Sequence, residues 1–105
     1  MIDETKIRVA AELLAKAAPD ATIVLFGSYA RGDAREDSDV DFLVIEPKLI
    51  AKRAETVRLR DTLRPLRIPV DVVATSSETY EKWARTPGTL YHDIAHEGRV
   101  LHVGS

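Results

Sequence analysis

The sequence predicts an α/β (α+β) domain in which a small mixed β-sheet is covered by helices, mainly on one face. Three observations support this class. The N-terminal segment repeats apolar residues at helical spacing; three short apolar runs are rich in β-branched residues and bounded by turn formers; and residues 48–63, free of glycine and proline, separate the second run from the third.

Taken in order, Ile7, Ala11, Leu14 and Ala18 share one face of a first helix, with Lys6, Arg8, Glu12 and Lys16 largely elsewhere on the wheel. Pro19 and Asp20 end it. Residues 22–26 are β-branched and aromatic, lie between a turn and Gly27, and read as a buried strand. Ser28 to Arg31 opens a short helix, residues 32–37 are polar and irregular, and residues 40–45 form a second strand closed by Pro47. Helix formers fill residues 48–63, with Thr56, Leu59, Leu63 and Leu66 spaced to face a core and Pro65 limiting the end. Residues 68–73 read as a third strand, with Pro69 near its start where a missing N–H costs least. Thr75 and Glu78 match a capping box, which starts a helix there that includes Tyr80 and Trp83. Another helix follows Thr86-Pro87 and stops at Gly98, and residues 99–103 form a short edge strand.

At 105 residues the chain is expected to be one domain spanning 1–105, with one core. Apolar residues at 45% and charged residues at 30% exclude a disordered or fibrous chain, and the absence of cysteine excludes disulfides and thiolate metal sites. The apolar runs are too short to span a bilayer and no signal pattern opens the chain, so no membrane partner and a cytoplasmic location are expected. The net charge of −2 is unevenly spread: residues 48–67 carry +5, leaving −7 for the remainder. That basic stretch reads most simply as a solvated helix face, next as a contact for an acidic partner protein, and least as a nucleic-acid surface, because no aromatic platform interrupts it. Tyr80, Trp83 and Tyr91 read as core or interface anchors. His92 and His96 are four apart, but no third zinc ligand is evident in the sequence.

The chemistry concentrates between residues 27 and 41. Asp39 and Asp41 stand two apart at the start of a strand, so their carboxylates project to one side with α-carbons roughly 6 to 7 Å apart. That pair suits a hard divalent cation such as Mg²⁺, which is held by one or two carboxylates together with phosphate oxygens. Gly27 ends a strand where the backbone must turn and let a phosphate approach, and Ser28 offers a hydroxyl and an amide at a helix start. Arg31 either neutralises phosphate charge or fastens the acidic loop. Tyr29 lies where a nucleotide could be touched. Asp71, between Val70 and Val72, needs a reason to sit in an apolar strand; if the third strand pairs beside the second, it converges with Asp39 and Asp41. Three carboxylates can hold two metal ions, and the pair at Asp39 and Asp41 favours this reading of Asp71 over a structural aspartate at a strand edge or paired to an arginine.

Gly27-Ser28-Tyr29-Ala30-Arg31-Gly32 followed by Ser38-Asp39-Val40-Asp41-Phe42-Leu43-Val44 resembles the signature of the minimal nucleotidyltransferases of the DNA polymerase beta superfamily. The resemblance implies a polymerase-beta-type nucleotidyltransferase core in which Gly27 and Ser28 bind a triphosphate, with Arg31 and Ser38 in the same nucleotide-binding set, and Asp39 and Asp41 bind metal. Asp71 matches the third acidic position, so Asp39, Asp41 and Asp71 are the candidate catalytic and metal residues, and the resemblance implies Mg²⁺, as two ions, with ATP as substrate. It also implies the antitoxin half of a type VII-like toxin–antitoxin pair, which transfers AMP to a tyrosine of a small helical HEPN toxin and blocks its RNase activity. Two alternatives stay open at this point. A non-catalytic antitoxin would mask its partner by binding alone, and a nucleic-acid end would serve as acceptor in an otherwise similar enzyme. The preferred base, the acceptor and the oligomeric state are not legible.

Overall fold

The computed structural model describes residues 1–104. A four-stranded sheet forms its centre in the order β3-β2-β1-β4, built from β1 (Thr22–Phe26), β2 (Val40–Glu46), β3 (Val70–Ser76) and β4 (Arg99–His102). β1 runs antiparallel to β2 and to β4, whereas β2 and β3 are parallel, so the sheet is mixed as expected. A parallel pair needs a crossover, and this one contains α3 (Lys52–Thr62) and the 3₁₀ turn Arg64–Leu66. No described helix is long and apolar enough to cross a membrane.

The period-two alternation of the strands separates two packing layers. Ile23, Leu25, Val40, Phe42, Val44, Val72 and Ala74 face α1 (Glu4–Ala17) and α3, where Ile7, Ala11, Leu14, Leu59 and Leu63 complete the larger buried cluster. Val24, Leu43 and Ile45 face the opposite way, toward α4 (Ser77–Ala84) and α5 (Leu90–Glu97), and meet Ile94, Tyr80 and Tyr91. The two long helices thus weight one face, and two eight-residue helices cover part of the other. Tyr80 and Tyr91 meet with centroids 5.9 Å apart as aromatic anchors of that smaller layer. Trp83 stays 41% exposed, with the Lys82 ammonium 5.3 Å from its ring.

Local chemistry explains where elements begin. Asp3 accepts the Lys6 N–H at 2.9 Å and caps α1. α3 begins at Lys52 and leaves residues 48–51 outside the helix; Leu59 and the C-cap Leu63 are buried in the core, and Leu49 packs against it from the segment before the helix. The capping box at Thr75 does not form. Thr75 is a buried residue of β3, and Ser76 caps α4 by accepting the Thr79 N–H at 3.1 Å. Pairing with β2 as far as Glu46 carries β3 three residues beyond the expected strand.

At the far end of β2, Glu46 meets Glu55 of α3, whose two carboxylate oxygens accept from Arg58 at 2.7 and 2.8 Å. Arg58 also donates to the Ala17 carbonyl at 3.0 Å and ties α3 to α1. One Glu46 oxygen is buried without a partner. Burial, then a proton shared with Glu55, pushes Glu46 up to about 7, while the Arg58 guanidinium holds Glu55 down at about 2. The folded protein therefore binds the Glu46 proton more tightly than the unfolded chain, so this residue's contribution to stability is full below pH 4.5 and is lost as pH rises through about 7. Glu46→Gln supplies the shared donor permanently. It is expected to stabilise the fold by about 1 kcal/mol at pH 8, after discounting for partial exposure, and to leave it unchanged at pH 5. Urea unfolding at the two pH values checks this; equal effects at both refute it.

Candidate active site

The candidate residues gather at one end of the sheet, where β1 finishes and the parallel pair β2 and β3 begins. Asp41 lies in register with Asp71 on β3 and with Phe26 on β1. Parity places Asp41 and Asp71 on the α4–α5 face, and because paired strands lie about 4.8 Å apart, the two carboxylates are neighbours. Asp39, two residues earlier, emerges from the loop on the same side.

Gly27 makes this closeness possible. Its φ of +75° lies in the left-handed region, and a Cβ there would run into the Asp41 carboxylate, so any other residue is strained at this position and displaces Asp41. Its carbonyl accepts the amides of Ala30 and Arg31, both at 3.1 Å, which winds α2 (Ser28–Arg31). The Ser28 carbonyl accepts from Gly32 at 3.0 Å and Asp33 at 3.1 Å, while its hydroxyl bonds to no described residue. Ser28 therefore presents a free hydroxyl at the start of α2.

The other motif residues divide between structure and site. The Ser38 hydroxyl accepts the Arg35 N–H at 2.8 Å and its own N–H donates to the Arg35 carbonyl at 3.0 Å, closing the turn from which Asp39 emerges. Arg31 fastens the acidic loop: Nε reaches Asp33 at 3.3 Å and Nη1 reaches Glu97 of α5 at 3.5 Å. Those pairs are open to water and weak, so a phosphate can compete for the guanidinium. The Tyr29 hydroxyl accepts the Ile2 N–H at 3.1 Å, and its ring packs on the larger core, because an apolar ring on this short helix has α1 as its nearest cover.

Electrostatics single out Asp41. Partial burial, then the charges of Asp71 and Asp39, push its carboxyl up to about 6, with Arg31 opposing only weakly. Like charges raising a half-buried carboxylate are what a cation would relieve, and three hard oxygen donors suit Mg²⁺ in kind. Among the described residues, however, no three acidic or histidine side chains are already drawn together as a metal cage. Asp71 is instead held by Arg60 of α3, at 3.7 Å. Both sequence readings of Asp71 thus meet here, beside the other carboxylates and paired to an arginine. Sequence reasoning missed Arg60, and it missed the wall beside Gly27, where Phe26, Arg31, Leu90, Asp93, Ile94 and Glu97 enclose a cleft of about 340 Å³. No local pattern announces the α5 residues of that wall, Leu90 to Glu97, brought back to Gly27 from the far end of the chain.

The strand order, the Gly27 turn and the facing aspartates define a nucleotidyltransferase core. Residues 7–102 match the nucleotidyltransferase domain family, and the chain belongs to it. Among curated proteins it is similar to two of Methanocaldococcus jannaschii. With "Putative protein adenylyltransferase MJ0604" it shares 29% identity over 83 residues, 76% of each chain. With "Putative protein adenylyltransferase MJ1305" it shares 56% over 41 residues, 38% of this chain and 28% of that one. Among solved structures, one chain of a toxin–antitoxin complex with AMP-PNP superposes with a TM-score of 0.66 at 26% identity, covering 99% of this chain and 75% of that one. A chain from the complex of a tri-AMPylated Shewanella oneidensis HEPN toxin with its MNT antitoxin gives 0.63 at 21% identity, covering 99% and 74%, and that likeness speaks for the fold alone.

Proposed function

We propose that this nucleotidyltransferase moves AMP from ATP to a protein hydroxyl, a tyrosine of a HEPN-type toxin, and so acts as the antitoxin of a pair. The observation that carries the reading is the register of Asp41 against Asp71 beside the Gly27 turn. Two carboxylates side by side next to a turn that carries no Cβ support a site for a triphosphate with its metal. The similarity to protein adenylyltransferases and to a nucleotide-bound toxin–antitoxin chain supports the choice of AMP and of a protein acceptor.

In this reading the Gly27-Ser28 turn receives the triphosphate through the Ser28 hydroxyl and backbone close to the glycine, where no Cβ obstructs. Arg31 exchanges its exposed partners for phosphate oxygens. Asp39, Asp41 and Asp71 would hold Mg²⁺, which when bound neutralises phosphate charge and lowers the barrier for an attacking oxygen. The acceptor oxygen attacks the α-phosphorus, the bond from that phosphorus to the bridging oxygen of pyrophosphate breaks, and pyrophosphate leaves. Asp71, 3.7 Å from Arg60, sits where it can take the hydroxyl proton. Positioning and charge carry most of the catalysis.

The test is incubation with labelled ATP and Mg²⁺, together with any small helical protein that co-purifies. Label is expected on a partner tyrosine, and Asp39→Asn is expected to reduce it by on the order of 10³-fold with the circular dichroism spectrum unchanged. Full transfer by the Asn variant, or neutralisation of the partner without any label, would refute the enzyme reading.

A further inference from the structure

The charge of the site is polarised. On the loop side, Asp33 lies against Arg31 and Asp39 by Asp41, Glu36 and Asp37 belong to the same loop, and Asp93 and Glu97 of α5 line the cleft beside Gly27. On the β3 side the sign reverses. α3 turns Lys52, Arg53, Thr56, Val57 and Arg60 outward around a shallow trough of about 420 Å³. These positions recur at i, i+4 and i+8, or i, i+4 and i+7, so they form one continuous face rather than a ring of charge. Arg60 ends that face 3.7 Å from Asp71.

Two features separate this face from an ordinary solvated helix surface. The other cations of α3 and its C-terminal turn have local partners: Arg58 bonds Glu55, and Arg64 meets Asp61 at 2.8 Å. Lys52 and Arg53 form no salt bridge with any described carboxylate. Val57, between them and Arg60, leaves 49% of its surface open, giving the trough an apolar floor on which a chain can rest.

We infer that the α3 trough seats an acidic peptide segment flanking the acceptor hydroxyl. Such a segment would lay its carboxylates over Lys52 and Arg53 and deliver its hydroxyl past Arg60 to Asp71. The inference rests on the protein-acceptor reading above and adds the route and the chemistry of the acceptor. Approach from the opposite side would bring an acidic chain against Asp93, Glu97 and the loop carboxylates, which repel it. Peptide is favoured over nucleic acid because none of the five lining residues is aromatic, so bases have no stacking surface.

Three synthetic tyrosine peptides test this, one flanked by Asp and Glu, one by Ser and Gly, and one by Lys, each incubated with the enzyme, Mg²⁺ and labelled ATP. The acid-flanked peptide is expected to be labelled with a kcat/KM about tenfold above the neutral one, mostly through KM and fading in 0.5 M salt. In the double variant Lys52→Glu, Arg53→Glu the ratio should invert toward the Lys-flanked peptide; being internal to one protein sample, this ratio does not depend on how much of the variant folds. Equal labelling of all three overturns the inference while leaving protein AMP transfer intact. Label on RNA with none on any peptide overturns both.

Discussion

Asp41→Asn is expected to make the metal-free protein more stable and nearly inert. In the wild type the Asp41 carboxyl is held near 6 in the folded state against an ordinary 3.8, first by burial and then by Asp71 and Asp39. The folded state thus prefers the proton, and stability declines as pH climbs from about 4 to about 6. Asparagine removes the charge and with it that decline. At pH 7.5 in chelator, the variant should gain about 1 to 2 kcal/mol, a figure reduced from the full shift because the group is only partly buried. For a domain this size the midpoint of thermal unfolding rises by roughly 5 °C or more. At pH 3.5 the two proteins should melt together, and transfer should fall by on the order of 10³-fold at every pH. Added Mg²⁺ should then stabilise the wild type and not the variant. A variant that melts lower than wild type at pH 7.5, or keeps its turnover, removes the crowded-carboxylate account of the site.

Gly27→Ala should damage both fold and chemistry. The backbone there holds φ at +75°, which costs an alanine roughly 1 to 2 kcal/mol, and the added methyl competes with the Asp41 carboxylate for the same space. We expect a loss of roughly 2 to 4 kcal/mol in urea unfolding. Transfer should drop by about 10²-fold or more, because a displaced Asp41 misplaces the reacting groups by an ångström or so. The two causes separate in a double-variant cycle. In an Asp41→Ala background the collision vanishes, and Gly27→Ala should cost only about 1 to 2 kcal/mol of backbone strain. If the cost is the same in both backgrounds, the carboxylate does not occupy the space beside Gly27.

These two residues were legible in the sequence because each announces itself locally. A glycine at the end of a β-branched run and a carboxylate inside an apolar strand both violate the local pattern, and each violation has a chemical reason. Asp71 was legible by the same logic. The order of strands and helices followed from periodicity, with Ile7, Ala11 and Leu14 buried where their spacing put them. What escaped depended on partners far along the chain. Thr75 and Glu78 fit a helix start, but sheet pairing with Ile45 holds Thr75 in β3 and hands the cap to Ser76. Tyr29 sits inside the motif and serves the core through Ile2. Arg60 looks like any other cation of a basic helix until the crossover carries it over the edge of β3 to Asp71.

The parallel pairing of β2 with β3 decides where this molecule tolerates rebuilding. A hairpin return would have sent position 71 to the opposite rim, roughly 20 Å from position 41 over a seven-residue strand, whereas the helical detour brings the chain back to the rim it left. Residues 47–51 therefore lie at the remote rim, and an insertion directly after the exposed Pro47 stays clear of the carboxylates, of Leu49 in the core and of the α3 trough. One extra residue at positions 67–69 is a different matter: it risks sliding β3 by a single step and turning Asp71 to the wrong side of the sheet.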